Sequence, residues 1–256
     1  MKMKTNYNEL SPNYNLRYKV NPMEGISKAL LNIISETKSK NILEVGCGTG
    51  HWLKELNLCD LNKFGVDLSN GMLEKAKRHD NKLKLILADA NSLPFVNGKF
   101  DLIFCVNAIH HFDNKREFIL NSSRLLKPNG MFAVFGLNPR NKNDKWYIYD
   151  YFEGTYKKDL QRFPSLEDIA IWMNEAGLEQ TEINTVERIQ NDLTGSDLFN
   201  DTFLQKDQSS QLAMISEEEY LIGMNKLKNA IKEDPQVIFP VRLTFTSITG
   251  IKGISN

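Results

Sequence analysis

Glu44-Val45-Gly46-Cys47-Gly48-Thr49-Gly50 sets an acid and three glycines at alternate positions straight after an apolar run. Gly46 and Gly48 let the backbone turn tightly and approach a ligand with no Cβ in the way. The helix expected next opens with N–H groups that have no partner inside it. A dinucleotide fingerprint, G-x-G-x-x-G, has its third glycine three places after the second. Here the third comes two places after, and position 51 is His. A carboxylate at Glu44 repels a pyrophosphate and suits a ligand carrying an ammonium group. Asp67 and Asp89 close two further apolar runs. An acid about 20 residues beyond a glycine loop accepts hydrogen bonds from ribose hydroxyls, and Asp67 has that spacing. Asp89, at the next strand tip, is placed to receive an adenine amino group. Taken singly, each acid reads as well as a cap or a solvated loop residue; their repetition at successive strand ends points to a ligand.

His110 and His111 follow a fourth apolar run. With a reference pKa of about 6.5, either can take a proton from a hydroxyl, and His111 is the preferred base. The alternative for each is a packing or loop histidine.

The elements that must hold these residues follow from periodicity. Residues 1–25, rich in Asn, Tyr and Pro, read as an irregular arm, and 26–39 as a helix. A short strand running straight into glycines is expected over 41–50, strands at 63–69, 82–90 and 130–139, and a strand followed by a loop over 99–112, with helices at 51–58, 70–79 (capped by Ser69 or Asn70) and 115–127, the last stopped by Pro128-Asn129-Gly130. Nearly all-apolar strands alternating with helices indicate a parallel sheet buried on both faces. A helix at 164–178 capped by Ser165, a strand at 179–189, a helix at 217–233 and an antiparallel edge strand at 241–252 complete the reading.

The 256 residues are 41% hydrophobic and 25% charged, and 32 basic residues balance 32 acidic ones. That balance argues against a general affinity for nucleic acid. Cys47, Cys59 and Cys105 show no paired spacing, so neither a disulfide framework nor a metal site is expected. The polar start lacks a signal peptide's apolar stretch, and no run approaches the roughly 18 apolar residues of a membrane span. A cytoplasmic protein with no membrane or nucleic-acid partner is the expectation.

ILEVGCGTG, GVDLS, LADANSLPF, FDLIFCVNAIHHF and LLKPNG stand in the order found in class I S-adenosylmethionine-dependent methyltransferases. The chain most resembles their small-molecule group, which includes ubiquinone/menaquinone-type and biotin-pathway enzymes, over about residues 10–190. The resemblance implies a Rossmann-like doubly wound α/β fold, a seven-stranded sheet of order 3-2-1-4-5-7-6 with strand 7 antiparallel. It implies one domain over 1–256, with the arm 1–25 and segments 140–163 and 190–240 as lid and substrate segments.

The implied cofactor is S-adenosylmethionine. By the resemblance, Glu44, Gly46, Cys47 and Gly48 hold its methionine end, with Asn107 and Ala108 adding backbone contacts. Asp67 takes both ribose hydroxyls, Leu68 and Met72 flank the adenine, and Asp89 and Ala90 lie at its edge. Such arms fold over the cofactor, which brings in Tyr18 beside Tyr14 and Arg17. Tyr14, Trp146, Tyr147 and Tyr151 are the candidates for lining an acceptor pocket, the alternative for the aromatic stretch being the buried face of a helix.

Asn107-Ala108-Ile109-His110-His111 replaces the Asn/Asp-Pro-Pro-aromatic motif of nucleobase amino methyltransferases, so base methylation is not expected. The expected activity is transfer of a methyl group by in-line displacement to a small molecule, by a monomer or homodimer. A methyltransferase acting on RNA or protein, and a non-catalytic S-adenosylmethionine-binding protein, are the competing readings.

Overall fold

The computed structural model describes Tyr18, residues 21–58 and residues 60–254. Cys59, Tyr14 and Arg17 lie outside the described residues. Contacts gather the chain into two units: one holds residues 23–138, 164–187 and 245–256, the other residues 1–22, 139–163 and 188–244. No helix among the described residues is long and apolar enough to cross a membrane.

The first unit begins with α1 (Glu24–Thr37), which buries Ile26, Leu30 and Ile34 along one stripe. Lys38 ends it in the left-handed region, its N–H reaching the Ile34 and Ser35 carbonyls. β1 (Asn41–Val45) is buried from Ile42 onward and runs into the glycines. α2 (His51–Glu55) stops three residues short of the expected 58. β2 (Asn62–Asp67) leads to α3 (Asn70–His79), and the Ser69 hydroxyl accepts from the Met72 N–H at 3.3 Å, so the cap is Ser69 rather than Asn70.

β3 (Lys84–Leu87) is shorter than expected and leaves Asp89 in the loop beyond it. β4 (Phe100–Val106) is the most deeply buried strand. α4 (Lys115–Leu125), capped by Asn114, ends before Pro128 is reached, because Leu126 already pairs with Phe100 as the first residue of β5 (Leu126–Leu137). The ladder shifts register between Phe100 and Leu102, which accommodates the Lys127-Pro128-Asn129-Gly130 corner. α5 (Leu166–Glu175) carries a capping box between Ser165 and Asp168.

Two long strands finish the sheet, β6 (Leu178–Gln190) and β7 (Val241–Lys252). The order is β3-β2-β1-β4-β5-β7-β6, with β1 to β5 parallel and β7 antiparallel to β5, and the two residues Lys145–Trp146 add an eighth strand antiparallel to Val241 and Arg242 of β7. The expected order is therefore the observed one, with one correction. β7 is an interior strand, not an edge, for β5 and β6 flank it. Its Thr244 and Ser247 mimic a wet face in the sequence but are buried, as short hydroxyl side chains can be when hydrogen-bonded. β6 is the strand that exposes residues on both faces, keeping Leu178 and Ile189 buried.

Between sheet and helices lies a core of Leu43, Val45, Ile103, Phe118, Phe132 and Ile248 among others, with Phe118 edge-on to Phe112 at 4.7 Å. Burying one such side chain stabilises the fold by about 1.5–3 kcal/mol.

The second unit draws together the segments around the aromatic stretch and the later insertion. Residues 217–233 form a helix at the expected bounds, opened by a reciprocal Ser216–Glu219 capping box. Its Gly223 packs so closely on the Phe152 ring that an added Cβ would clash with it. Asp159 is a buried hub: Tyr149 Oη and Gln211 Nε2 donate to one carboxylate oxygen and Arg162 Nε to the other, each at 2.7 Å. Tyr147 Oη donates to Asp201 at 2.8 Å.

Candidate functional site

The expected site residues of the first unit gather at the carboxyl-terminal ends of β1 to β4. At the end of β1 the chain is turned by Gly46, Gly48 and Gly50, all with positive φ (74°, 51° and 72°). The Gly46 and Cys47 N–H groups both donate to the Val66 carbonyl, at 2.7 and 3.0 Å, so the glycine loop is stitched to the neighbouring strand. A Cβ on Gly46 would stand 2.6 Å from the Ala108 Cβ and 3.3 Å from the Phe112 ring. Glycine is required there both by the backbone and by the close approach of the loop after β4.

Asp67 ends β2 with its carboxylate clasped from two sides. Gly48 N–H donates to Oδ2 and Ser69 N–H to Oδ1, each at 2.8 Å. Each oxygen has a second lone pair left for a ligand hydroxyl. Burial raises the Asp67 pKa, and the N–H groups of Ser69, Gly48 and Leu68 oppose that rise. Leu68 beside it is 62% exposed, an apolar surface at the mouth of the loop. Met72 is 1% exposed on the inner side of α3, so of the two residues expected to flank an adenine only Leu68 faces solvent.

Glu44 is 1% exposed, and its Oε2 has no hydrogen-bond partner among the described residues. Burial, then the neighbouring Asp67 charge, lift its carboxyl well above the ordinary carboxylate range, against the Leu53 N–H. A buried carboxyl of this kind is stabilised by a cation brought into its vicinity. The Cys47 thiol is pushed up by burial and by the charges of Glu44 and Asp67, which favours its protonated form.

Asp89 lies two residues past β3. The Ala88 N–H donates to the Asp67 carbonyl at 3.2 Å, which draws this loop toward the end of β2. Asp89 Oδ1 accepts from the Asn91 N–H at 2.8 Å, and Ala90 is buried behind it. After β4, Asn107 adopts a positive φ of 50°, a conformation Asn tolerates better than most residues, and its N–H donates to the Phe135 carbonyl at 2.8 Å. Ala108 is buried, and Ile109–His111 form a single 3₁₀ turn. His110 is buried and His111 half-buried, their ring centroids 3.9 Å apart.

Phe112 was not among the expected site residues, yet its ring closes the histidine turn onto Gly46. An aromatic next to the paired histidines was the available signal. Tyr18, Trp146, Tyr147 and Tyr151 belong to the second unit. There Trp146 and Tyr147 are core residues, while Tyr18 and Tyr151 are half-buried. The Tyr147 hydroxyl is used internally by Asp201.

Residues 43–134 match the family model described as a methyltransferase domain. Over these residues the chain is similar to methyltransferase domains.

Among curated proteins similar to this chain is a malonyl-[acyl-carrier protein] O-methyltransferase of Hahella chejuensis, 33% identical over 154 residues, which are 57% of this chain and 53% of that one. A ubiquinone biosynthesis O-methyltransferase of Dechloromonas aromatica is 29% identical over 181 residues, 63% of this chain and 75% of that one. The chain spans 60% and 53% of the length of two relatives matched above 30% identity. In fold it is similar to the crystal structure of a putative methyltransferase from an antibiotic biosynthesis pathway of Anabaena variabilis. That similarity has a TM-score of 0.65 at 19% identity and covers 87% of this chain and 95% of that one.

The cofactor to test against this geometry is S-adenosylmethionine, the one the resemblance implies. The residues present suit it: a side-chain-free cradle at Gly46, the unpartnered Glu44 oxygen for a cation, and paired Asp67 oxygens for a diol.

Proposed function

We propose that this protein is an S-adenosylmethionine-dependent methyltransferase acting on a small-molecule acceptor. The observation that carries the reading is the Asp67 carboxylate, fixed by Gly48 and Ser69 beside the buried Glu44 oxygen, an arrangement suited to a cationic nucleoside. When bound, S-adenosylmethionine supplies a methyl group already activated on a sulfonium sulfur. The chain's own residues are left to bind, orient and exclude water. Asp67 receives two ribose hydroxyls on its remaining lone pairs. Leu68 offers an apolar surface to one face of the base, and Asp89 an acceptor oxygen to its amino group. Glu44 ionises against the positive charge of the cofactor.

His111 takes the proton of a hydroxyl acceptor at its imidazole, a group whose ordinary pKa suits a base near neutrality. The relatives named as O-methyltransferases support an oxygen acceptor, and the balanced charge of the chain supports a small molecule over a nucleic acid.

Incubation of the protein with methyl-labelled S-adenosylmethionine and a metabolite extract, followed by mass spectrometry, tests the reading. A labelled small molecule is expected. Label found in RNA or protein alone overturns the small-molecule reading.

A further inference from the structure

Asn121 is a polar residue on the inward side of α4, 9% exposed among Phe118, Ile119 and Leu125. Burying an amide costs free energy unless both of its ends are hydrogen-bonded. Here both are. Arg124, one turn on, donates from Nη2 to Asn121 Oδ1, and Asn121 Nδ2 donates to the Asn91 carbonyl at 3.0 Å. Because a guanidinium can only donate, Arg124 fixes which way the amide points, and the NH₂ end must face Asn91.

Asn91 is gripped on its other side as well. Its N–H donates to Asp89 Oδ1 at 2.8 Å, and the Ser92 N–H returns to the Asp89 carbonyl at 2.9 Å. A continuous series therefore runs from Arg124 through Asn121 and Asn91 to the Asp89 carboxylate. It spends one oxygen of that carboxylate on the loop and leaves Oδ2 without a partner among the described residues. The helix is thirty residues further along the chain than the loop it holds.

We propose that Asn121 is a positioning residue that aims the Asp89 carboxylate at the exocyclic amino group of the cofactor base, and so specifies adenine against a base carrying a keto oxygen there. The proposal rests on the reading that Asp89 borders the adenine. An amino group donates to Asp89; a keto oxygen meets it acceptor to acceptor and is repelled. Polar groups aimed in this way discriminate more strongly than apolar shape does.

Calorimetric titration with S-adenosylhomocysteine and S-inosylhomocysteine tests it. Wild-type protein is expected to prefer the adenosyl compound by about tenfold to a hundredfold, the discrimination of one charged hydrogen bond. In Asn121→Leu, which keeps the volume but loses both hydrogen bonds, that preference falls toward unity, through weaker binding of the adenosyl compound alone. Arg124→Met, which frees the amide to turn, gives an intermediate ratio. It reports on the proposal even where Asn121→Leu fails to fold, and an unchanged ratio in Arg124→Met then overturns it. Equal weakening of both ligands in Asn121→Leu reduces Asn121 to a structural residue. Equal affinities in the wild type remove Asp89 from the base, and the proposal with it. Binding of neither compound overturns the methyltransferase reading itself.

Discussion

Gly48 and Asp67 are joined across the tips of two adjacent strands, the Gly48 N–H donating to Asp67 Oδ2 at 2.8 Å. The residue that shapes the glycine loop and the residue offered to the ribose are thus one hydrogen-bonded unit. Loss of the carboxylate removes a ligand contact and slackens the loop together. Asp67→Ala is expected to weaken S-adenosylhomocysteine binding by about 1.5–3 kcal/mol, the range for hydrogen bonds to a charged group. Calorimetry giving an unchanged affinity would remove Asp67 from the cofactor site.

Glu44 makes a prediction about pH. In the folded chain its carboxyl keeps its proton to a higher pH than in the unfolded chain, where it titrates at about 4.3. As pH climbs above that ordinary value, the unfolded state gains by ionising and the folded state does not, so stability declines until the folded carboxyl also ionises. Glu44→Gln has no such dependence. Its stability relative to wild type, measured by urea unfolding without cofactor, is expected to be greater at about pH 8 than at about pH 5. A difference independent of pH contradicts the assigned burial effect.

Gly46→Ala strains the loop twice over. A residue with a side chain at φ 74° costs about 1–2 kcal/mol, and a Cβ 2.6 Å from the Ala108 Cβ costs a further amount of about 1–3 kcal/mol by overpacking. Adding Ala108→Gly removes the second part only. Unfolding midpoints of the single and double variants check this, with partial recovery as the expected result and no recovery as the contrary one.

His111→Ala is expected to lower turnover on the true acceptor by about 10²–10⁴-fold, the range for a positioned base. S-adenosylhomocysteine affinity should stay within about threefold, since the base is assigned to the acceptor rather than the cofactor. An unaltered rate excludes His111 as the base.

The sheet was largely legible in the chain because a parallel strand buried on both faces has to be almost wholly apolar. Ile42 to Val45 and Leu102 to Val106 have that character. Glycines at 46, 48 and 50 and acids at 44, 67 and 89 were equally visible, since few residue types serve at strand tips that meet a ligand. β7 was misread as an edge because Thr244 and Ser247 look solvated until the strands on either side are known. Phe112 is marked in the sequence only by its place after the paired histidines, and Asn121 by nothing local, since each acts on a residue far away in the chain, Gly46 and Asn91 respectively.

The order of residue types alone therefore determined the fold class, because backbone conformation and strand burial are read off a few neighbours, and the nucleoside it points to came from the resemblance those residues carry. Tertiary structure alone decided which polar atoms are already spent and which remain open. Gly48 and Ser69 each take one lone pair of Asp67, and Asn91 occupies one oxygen of Asp89, while Glu44 Oε2 is left without a partner among the described residues. A hydrogen bond is a relation of distance and angle, so it exists only once segments remote in the chain have been packed side by side.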